Sequence, residues 1–358
     1  MSFTFFVINS LLFALSMVNF VTIRKPKQCG EIDAAITVLL PVRNESENIE
    51  RILQELNSQI NVPRLSIVVI DDHSEDETYL LAKKFQSNRI SVIQAPALPD
   101  GWVGKVAALQ AGYRHIESSD PEIVISIDAD VHFESDAISR AVNSLLEAKL
   151  DFLSPYPRQI AQTWAERLVQ PLLQWSWMST VLLRGAERIP MSSTVICNGQ
   201  FLVMRSSSLK GIGGFESVAF KVLDDIELGR SFVAAGFKGA VISGSEISST
   251  RMYKDFNEIR AGYGKSLHLA FGSILGSLVA AFFVGATVLI PLGSTIDGDL
   301  LSLAALIAII GTRVVSAAAS GTRVRDAFLH PISALLFIYL LYFSWSNRGK
   351  TQWKGRTL

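Results

Sequence analysis

The stretch EIVISIDADVHFESDAI, Glu122 to Ile138, decides how this chain is to be read. Ile123-Val124-Ile125-Ser126-Ile127 is a run of branched apolar residues, the pattern of a strand buried on both faces. It stops at two carboxylates, Asp128 and Asp130, separated by one alanine. Two carboxylates about 5 Å apart repel by roughly 3 kcal/mol at an effective dielectric of about 20. A fold tolerates that when a cation sits between them or when one is protonated. Side chains two apart on an extended backbone can both turn to one divalent ion, together with phosphate oxygens and water. The stretch therefore predicts a metal site at a strand end.

Working outward, the region from Ala34 to Lys265 alternates similar runs with helical patterns. AITVLLP (Ala35 to Pro41), LSIVVIDD (Leu65 to Asp72) and ISVIQ (Ile90 to Gln94) read as three more buried strands. Between them, Glu47 to Gln59 places Ile49, Ile52, Leu53 and Leu56 at helical spacing, and Lys105 to His115 reads as a helix. Ser74 and Glu77 make a capping-box signature before the helix DETYLLAKKF. Strand and helix in alternation predict an α/β fold with parallel strands and right-handed crossovers. Ligands bind such sheets beyond the carboxyl ends of the strands. Those ends read PVRNE, DDHSED, APALPDGWVGK and DAD, which gathers Arg43, Asn44, Glu45, Asp71, Asp72, Lys105, Asp128 and Asp130 at one edge.

Composition excludes several classes. The 358 residues carry 33 basic and 33 acidic side chains, so no net charge steers the chain to nucleic acid. Cys29 and Cys197 fit no disulfide framework or metal motif. His73, His115, His132, His268 and His330 are scattered without metal-ligand spacing. The first strand lacks the glycine-rich turn of a dinucleotide site, and GWVGKVA lacks the spacing of a Walker motif. DADV by itself fits a strand-end phosphatase motif, but that motif belongs on a first strand and this one is fourth.

The two ends are apolar, and mean hydropathy is +0.31. Phe3 to Ile23 is charge-free and long enough to span a bilayer, and Arg24, Lys25 and Lys27 follow at once. That order is the reverse of a secretory signal, and by the positive-inside rule it puts the N-terminus outside and the next domain in the cytoplasm. Leu269–Leu292, Leu300–Ser320 and Phe328–Trp345 repeat the apolar pattern, broken only by Arg313. Three such spans would leave the basic tail SNRGKTQWKGRTL outside, against the same rule, so one segment is expected to be re-entrant or interfacial. AQTWAERLVQPLLQWSWMSTVLLRG, Ala161 to Gly185, suits either an interfacial helix that brings the site to lipid head groups or a core helix of the domain. The expected organisation is a transmembrane helix over 1–24, a cytoplasmic α/β domain over 34–265, membrane segments over 266–346 and a basic tail over 347–358. Together these predict a multi-pass protein of the plasma membrane.

Six motifs then carry a resemblance. VLLPVRNESENI, VVIDDHSEDET, GWVGKVAALQAG, ISIDADV, GIGGFESV with LDDIELGRSFVAAGF, and RMYKDFNEIRAGYGKS run in order from Ala35 to Ser266. In that order they resemble the membrane-associated glycosyltransferases of family 2. GWVGK and the tail WKGR are further similar to bacterial enzymes that glycosylate carotenoids (the diaponeurosporenoate type) and to hopanoid-associated relatives. The resemblance implies the GT-A fold: a Rossmann-like, mixed and mainly parallel sheet with flanking helices, here with transmembrane helices at both ends.

It also implies roles for residues. Pro41, Asn44, Glu45, Asp71, Asp72, Lys105 and Asp128 would hold a nucleotide-sugar, and Asp128 and Asp130 a divalent cation, Mg2+ or Mn2+, on its diphosphate. Asp225, with Asp224 before it, stands where the family keeps its catalytic base; a sugar-accepting hydroxyl needs one because its pKa is far above 7. Gly214, Phe215 and Arg251 fall in the acceptor or diphosphate region. The implied activity is inverting, metal-dependent transfer of a hexose, from a UDP-sugar in the first instance, to a lipid such as a carotenoid, hopanoid or polyprenyl lipid. A processive polysaccharide synthase is the alternative within the family, but the QxxRW sequence of those enzymes is missing and RMY, Arg251 to Tyr253, occupies its region. A DxD-type phosphatase is the alternative from another class.

Overall fold

The computed structural model describes residues 1–348 and the backbone of 352–353 and 356–357, so half of the basic tail 347–358 lies outside the described residues. The chain folds as two compact units. One comprises Arg24–Arg158 and Gly185–Thr250; the other comprises Met1–Ile23, Gln159–Arg184 and Arg251–Leu358. The α/β unit is therefore interrupted at 159–184, a stretch that belongs to the helical unit.

The α/β unit is built on seven strands: β1 (Ile36–Val42), β2 (Leu65–Asp71), β3 (Ile90–Gln94), β4 (Ile123–Ile127), β5 (Phe152–Tyr156), β6 (Phe201–Arg205) and β7 (Gly239–Ser243). Their order is β3-β2-β1-β4-β6-β5-β7. The first four are parallel, as the strand–helix alternation predicts. β6 runs antiparallel to both β4 and β5, so the sheet is mixed. Side chains of β1 and β4 alternate between two apolar cores: Val38, Leu40, Ile125 and Ile127 enter one, Leu39 and Val124 the other. Burial on both faces is why these strands are continuous apolar runs rather than alternating ones.

The antiparallel strand has a consequence at the sheet edge. Ile127 pairs with Phe201, so the chain entering β6 arrives where the chain leaving β4 departs. Asp128 N donates to Gln200 O at 3.3 Å, and the turn at Asn198–Gln200 joins the DAD loop.

The helical unit contains four helices long and apolar enough to cross a membrane: Ser2–Thr22, Ile274–Ile296, Leu300–Ser320 and Val324–Ser346. These helices make the protein membrane-associated. Buried amides tie them together, since lipid supplies no hydrophobic force between helices. Asn9 Nδ2 donates to Thr287 O at 2.8 Å and Ala305 O at 3.0 Å; Asn19 Nδ2 donates to Met178 O at 2.9 Å and Val181 O at 2.6 Å. The helix Trp164–Thr180 belongs to this unit, with Trp175 and Trp177 buried and Trp164 exposed. It is thus not a core helix of the α/β unit, as one reading of its sequence allowed.

Candidate active site

One end of the site is two interlocked loops. After β1, Asn44 turns through a left-handed φ of 52°, and after β2 His73 does the same at 53°. Both conformations are costly for non-glycine residues and are held by cross-loop bonds. Glu75 N donates to Asn44 Oδ1 at 2.8 Å, Asn44 N to Ser74 Oγ at 3.1 Å, and Glu45 N to Thr78 Oγ1 at 2.7 Å. Arg43, buried beneath, donates to Asp72 O at 2.7 Å and His73 O at 3.2 Å. The capping box read at Ser74 and Glu77 does not form. The helix begins at Thr78, and the Ser74 hydroxyl serves the neighbouring loop instead.

Asp71 ends β2 buried, its Oδ2 accepting from Ser74 N at 3.3 Å and its Oδ1 without a partner among the described residues. An orphaned buried carboxylate oxygen is expensive, and a ligand N–H would satisfy it.

The second end is a cluster of acids around one lysine. Lys105 opens the helix Gly104–His115 and places Nζ 2.5 Å from Asp128 Oδ1. Asp224 and Asp225 open the helix Asp224–Ala234. Asp225 Oδ2 accepts from Gly199 N at 2.8 Å, and its Oδ1 from Ile226 N, also at 2.8 Å. Gly199 sits in a tight space: a Cβ there would lie 3.1 Å from Lys105 Nζ and 3.3 Å from Asp225 Cβ. Asp130 accepts from Thr250 Oγ1 at 3.2 Å.

The charges respond to this crowding. Burial pushes Asp224 up to about 6, Lys105 opposing and the Asp225 and Asp128 charges adding to it. Burial likewise raises Asp225, although the Gly199 N–H favours its ionised form. Asp130 is pushed up to about 6 by burial and by the negative charges of Asp128 and Glu45. Burial would lower Lys105, but Asp128, Asp224 and Asp225 outweigh it and hold the ammonium charged. A stable cation among carboxylates that keep their protons unusually long suits acid–base chemistry beside a polyanion.

The comparisons with known proteins follow these features. A family model described as glycosyl transferase family 2 matches residues 37–213, the span from β1 through the Asn198–Gln200 turn to the start of the 213–218 loop. Residues 37–213 carry a family 2 glycosyltransferase domain. It is also similar to the 4,4'-diaponeurosporenoate glycosyltransferase of Staphylococcus aureus, with 23% identity over 339 residues, 90% of this chain and 88% of that one. Among solved structures, a mannosyltransferase from Pyrobaculum calidifontis in complex with GDP-mannose and Mn2+ superposes with a TM-score of 0.51 at 15% identity. The match covers 97% of this chain and 98% of that one, and supports the GT-A fold.

In this glycosyltransferase the expected site residues fall into two groups and a remainder. Asn44, Glu45, Asp71 and Asp72, with Pro41 near the end of β1, form the loop pair. Lys105, Asp128, Asp130, Asp224 and Asp225 form the cluster. Phe215 does neither: it is 2% exposed and packs edge-on to Tyr113 at 6.1 Å, and has no surface to offer a ligand. Gly214, at φ 71°, is pressed against Gln110 and Tyr113 of the same helix that carries Lys105. Arg251 belongs to the helical unit, where its Nε meets Glu166 Oε1 at 2.7 Å.

Two residues escape sequence reading. Gly199 has no motif, and its role depends on the antiparallel pairing of β4 with β6. Arg51 braces the acid loop from the helix Ile49–Asn57, donating to Ala129 O at 2.9 Å and Val131 O at 2.8 Å. Its i, i+4 pairing with Glu55 disguised it as an ordinary helix surface residue.

A divalent cation fits Asp128 and Asp130 by donor chemistry. Both are hard oxygen ligands of the kind Mg2+ and Mn2+ take, and the like charges around the partly buried Asp130 would be offset by one. Among the described residues no cluster of three or more acidic, histidine or cysteine side chains could hold a metal alone. The protein's share would be two carboxylates, with phosphate oxygens and water completing the shell.

Proposed function

We propose that this glycosyltransferase moves a hexose, with inversion, from a nucleotide-sugar of the UDP class to a membrane lipid such as a carotenoid, hopanoid or polyprenyl lipid. The observation that carries this reading is the convergence of Lys105, Asp128 and the Gly199-held Asp225 beyond the strand ends. The Pyrobaculum neighbour holds a nucleotide-sugar with Mn2+, and the Staphylococcus relative is named for a carotenoid substrate. The membrane helices in the same chain agree with a lipid acceptor.

Each residue then has work to do. Asp71 Oδ1 and the Asp72 loop accept from the base. Asp128 and Asp130 hold the cation, which when bound would neutralise charge on the diphosphate. Lys105 donates to the departing phosphate oxygens, and its charge survives burial because the acids keep it. Asp225 takes the acceptor's hydroxyl proton as the oxygen bonds to the sugar C1 and the C1–O bond to phosphate breaks. The two N–H groups on Asp225 fix the carboxylate's plane without filling its acceptor sites. A single displacement of this kind inverts C1. Asp224 supports Asp225 and shares its environment. The basic flank of the first span places the α/β unit on the cytoplasmic face of the plasma membrane, where nucleotide-sugars are made.

The test is incubation of membranes containing the full chain with radiolabelled UDP-glucose, Mn2+ and lipid extract. One labelled lipid spot is expected. A ladder of products would replace this reading with polymer synthesis, and no Mn2+-dependent transfer from any nucleotide-sugar would remove it.

A further inference from the structure

The helical unit holds a second polar cluster that the transfer reaction does not use. Arg313 lies about two turns, or about 10 Å, inside the C-terminal end of the span Leu300–Ser320. It is 3% exposed, and its Nε and Nη1 have no partner among the described residues. His330 and Ser333, one turn apart at the start of the helix His330–Ser346, are 0% exposed. Both His330 ring nitrogens and Ser333 Oγ are equally unpartnered. Trp175 connects the two helices: its Nε1 donates to Thr312 Oγ1 at 2.6 Å and its ring lies 4.6 Å from that of His330. The Arg313 charge is felt at His330.

The nearby carboxylate of Asp326 offers Arg313 its charge but no hydrogen bond to Nε or Nη1. Asp326 is taken up by Arg167, whose Nε lies 2.9 Å and 3.1 Å from its two oxygens and whose Nη2 lies 2.5 Å from Oδ1. Ionisable groups within membrane spans are costly and mark functional sites. Buried donors left unmet add to that cost. The unmet atoms here are mainly donors: two guanidinium nitrogens, a hydroxyl and one imidazole N–H. That inventory asks for an anion bearing several oxygens.

We infer that Arg313, His330 and Ser333 bind the anionic head group of a membrane lipid, a phosphate or a carboxylate. The location favours a lipid over a free anion, because the site is about 10 Å inside an apolar span. The same helix exposes Leu303 and Ile307 for acyl-chain contact. The inference rests on the membrane reading of the four helices and is independent of the sugar-transfer reading.

The experiment uses the full chain in a neutral detergent, with native mass spectrometry and melting temperature as readouts. Phosphatidylglycerol, palmitate, an uncharged diacylglycerol and inorganic phosphate are added separately. Retention of phosphatidylglycerol or palmitate with a rise in melting temperature is expected, and no response to diacylglycerol. Arg313→Gln should weaken retention by about 10-fold or more, because the charged hydrogen bonds are lost. Without lipid its melting temperature should match or exceed the parent's, since an unpaired buried charge is gone. A lower lipid-free melting temperature with undiminished lipid retention would make Arg313 structural and overturn the proposal. An equal response to inorganic phosphate would overturn the lipid assignment in favour of a free anion. Should Arg313→Gln fail to fold, Ser333→Ala keeps the charge and should weaken retention by about 3-fold; unchanged retention there would equally overturn it.

Discussion

Lys105 Nζ and Asp128 Oδ1 lie 2.5 Å apart, so the lysine already occupies the first carboxylate of the DAD loop. Asp128 would hold a divalent cation bound with the diphosphate, and Lys105 would then be left for the phosphate oxygens. Asp128→Ala and Asp130→Ala should therefore each abolish Mn2+-dependent binding of UDP. Lys105→Met should weaken it by about 10-fold, the worth of one charge-assisted contact. Calorimetry with UDP and Mn2+ measures all three, and wild-type affinity in both aspartate variants would end the metal assignment.

Gly199 lies against both Lys105 Nζ and Asp225. Its N–H holds Asp225, and a Cβ in its place would come within 3.1 Å of Lys105 Nζ. Gly199→Ala keeps the N–H but obliges Lys105 Nζ and Asp225 to give by a few tenths of an ångström, a misplacement at the site that should cost about 3-fold to 10-fold. Initial transfer rate should fall to that degree with the melting temperature little changed. A variant as active as the parent would show that the close approach is incidental.

How much of this was legible beforehand varies by element. β1 to β4 were readable because burial on both faces leaves unbroken apolar runs, and their polar ends named Asp71, Asp128 and Asp130 directly. β5 to β7 were not read. LSPY in β5 and the glycine that opens β7 lack the unbroken branched run, and antiparallel partners joined through long excursions leave no local mark. Gly199 is invisible for the same reason. Phe215 was carried into the acceptor or diphosphate region by the resemblance alone, whereas Gly213 and Gly214 take left-handed conformations and Phe215 turns into the core. The helix Trp164–Thr180 could not be assigned from its own composition, since tryptophans on a partly polar helix suit a protein core and a membrane interface equally.

Folding stability should depend on pH through the crowded acids. Asp130 and Asp224 keep their protons to about 6 when folded, against about 4 when unfolded. The folded chain then binds more protons than the unfolded chain between about 4 and 6, so stability falls as pH rises through that window and levels above it. Asp76 acts in the opposite sense but lower: hydrogen bonds from Thr78 and Ser46 overcome its burial and hold it at about 2, so its contribution changes only between about 2 and 4. Asp224→Asn should flatten the decline between pH 4.5 and 6.5 in melting-temperature measurements on the full chain. A slope identical to the parent's would contradict the raised value for Asp224.

The proposed cytoplasmic side of the α/β unit, drawn from the basic residues Arg24, Lys25 and Lys27, can be tested directly. A cysteine introduced at Asn88, an exposed residue in the turn before β3, should stay unlabelled by an impermeant maleimide in intact cells and react after lysis. Labelling before lysis would reverse the orientation.

Asp225 separates catalysis from binding. A base acts only as the acceptor attacks, so losing it raises the barrier without touching the donor's contacts. Asp225→Asn retains an amide oxygen that can accept from Gly199 N or Ile226 N, and it keeps the size of the side chain, but it cannot take a proton. Nucleotide-sugar affinity should hold within about 3-fold while transfer to a hydroxyl acceptor falls by about 10²-fold or more. Asp224→Asn should be milder. A carboxylate acceptor attacks without releasing a proton, so with such an acceptor the Asp225→Asn defect should shrink. Measuring donor affinity and initial rate side by side, with a hydroxyl and a carboxyl lipid, distinguishes these roles. Undiminished transfer to the hydroxyl lipid would leave Asp225 only its place at the helix N-terminus, where its charge favours the helix dipole.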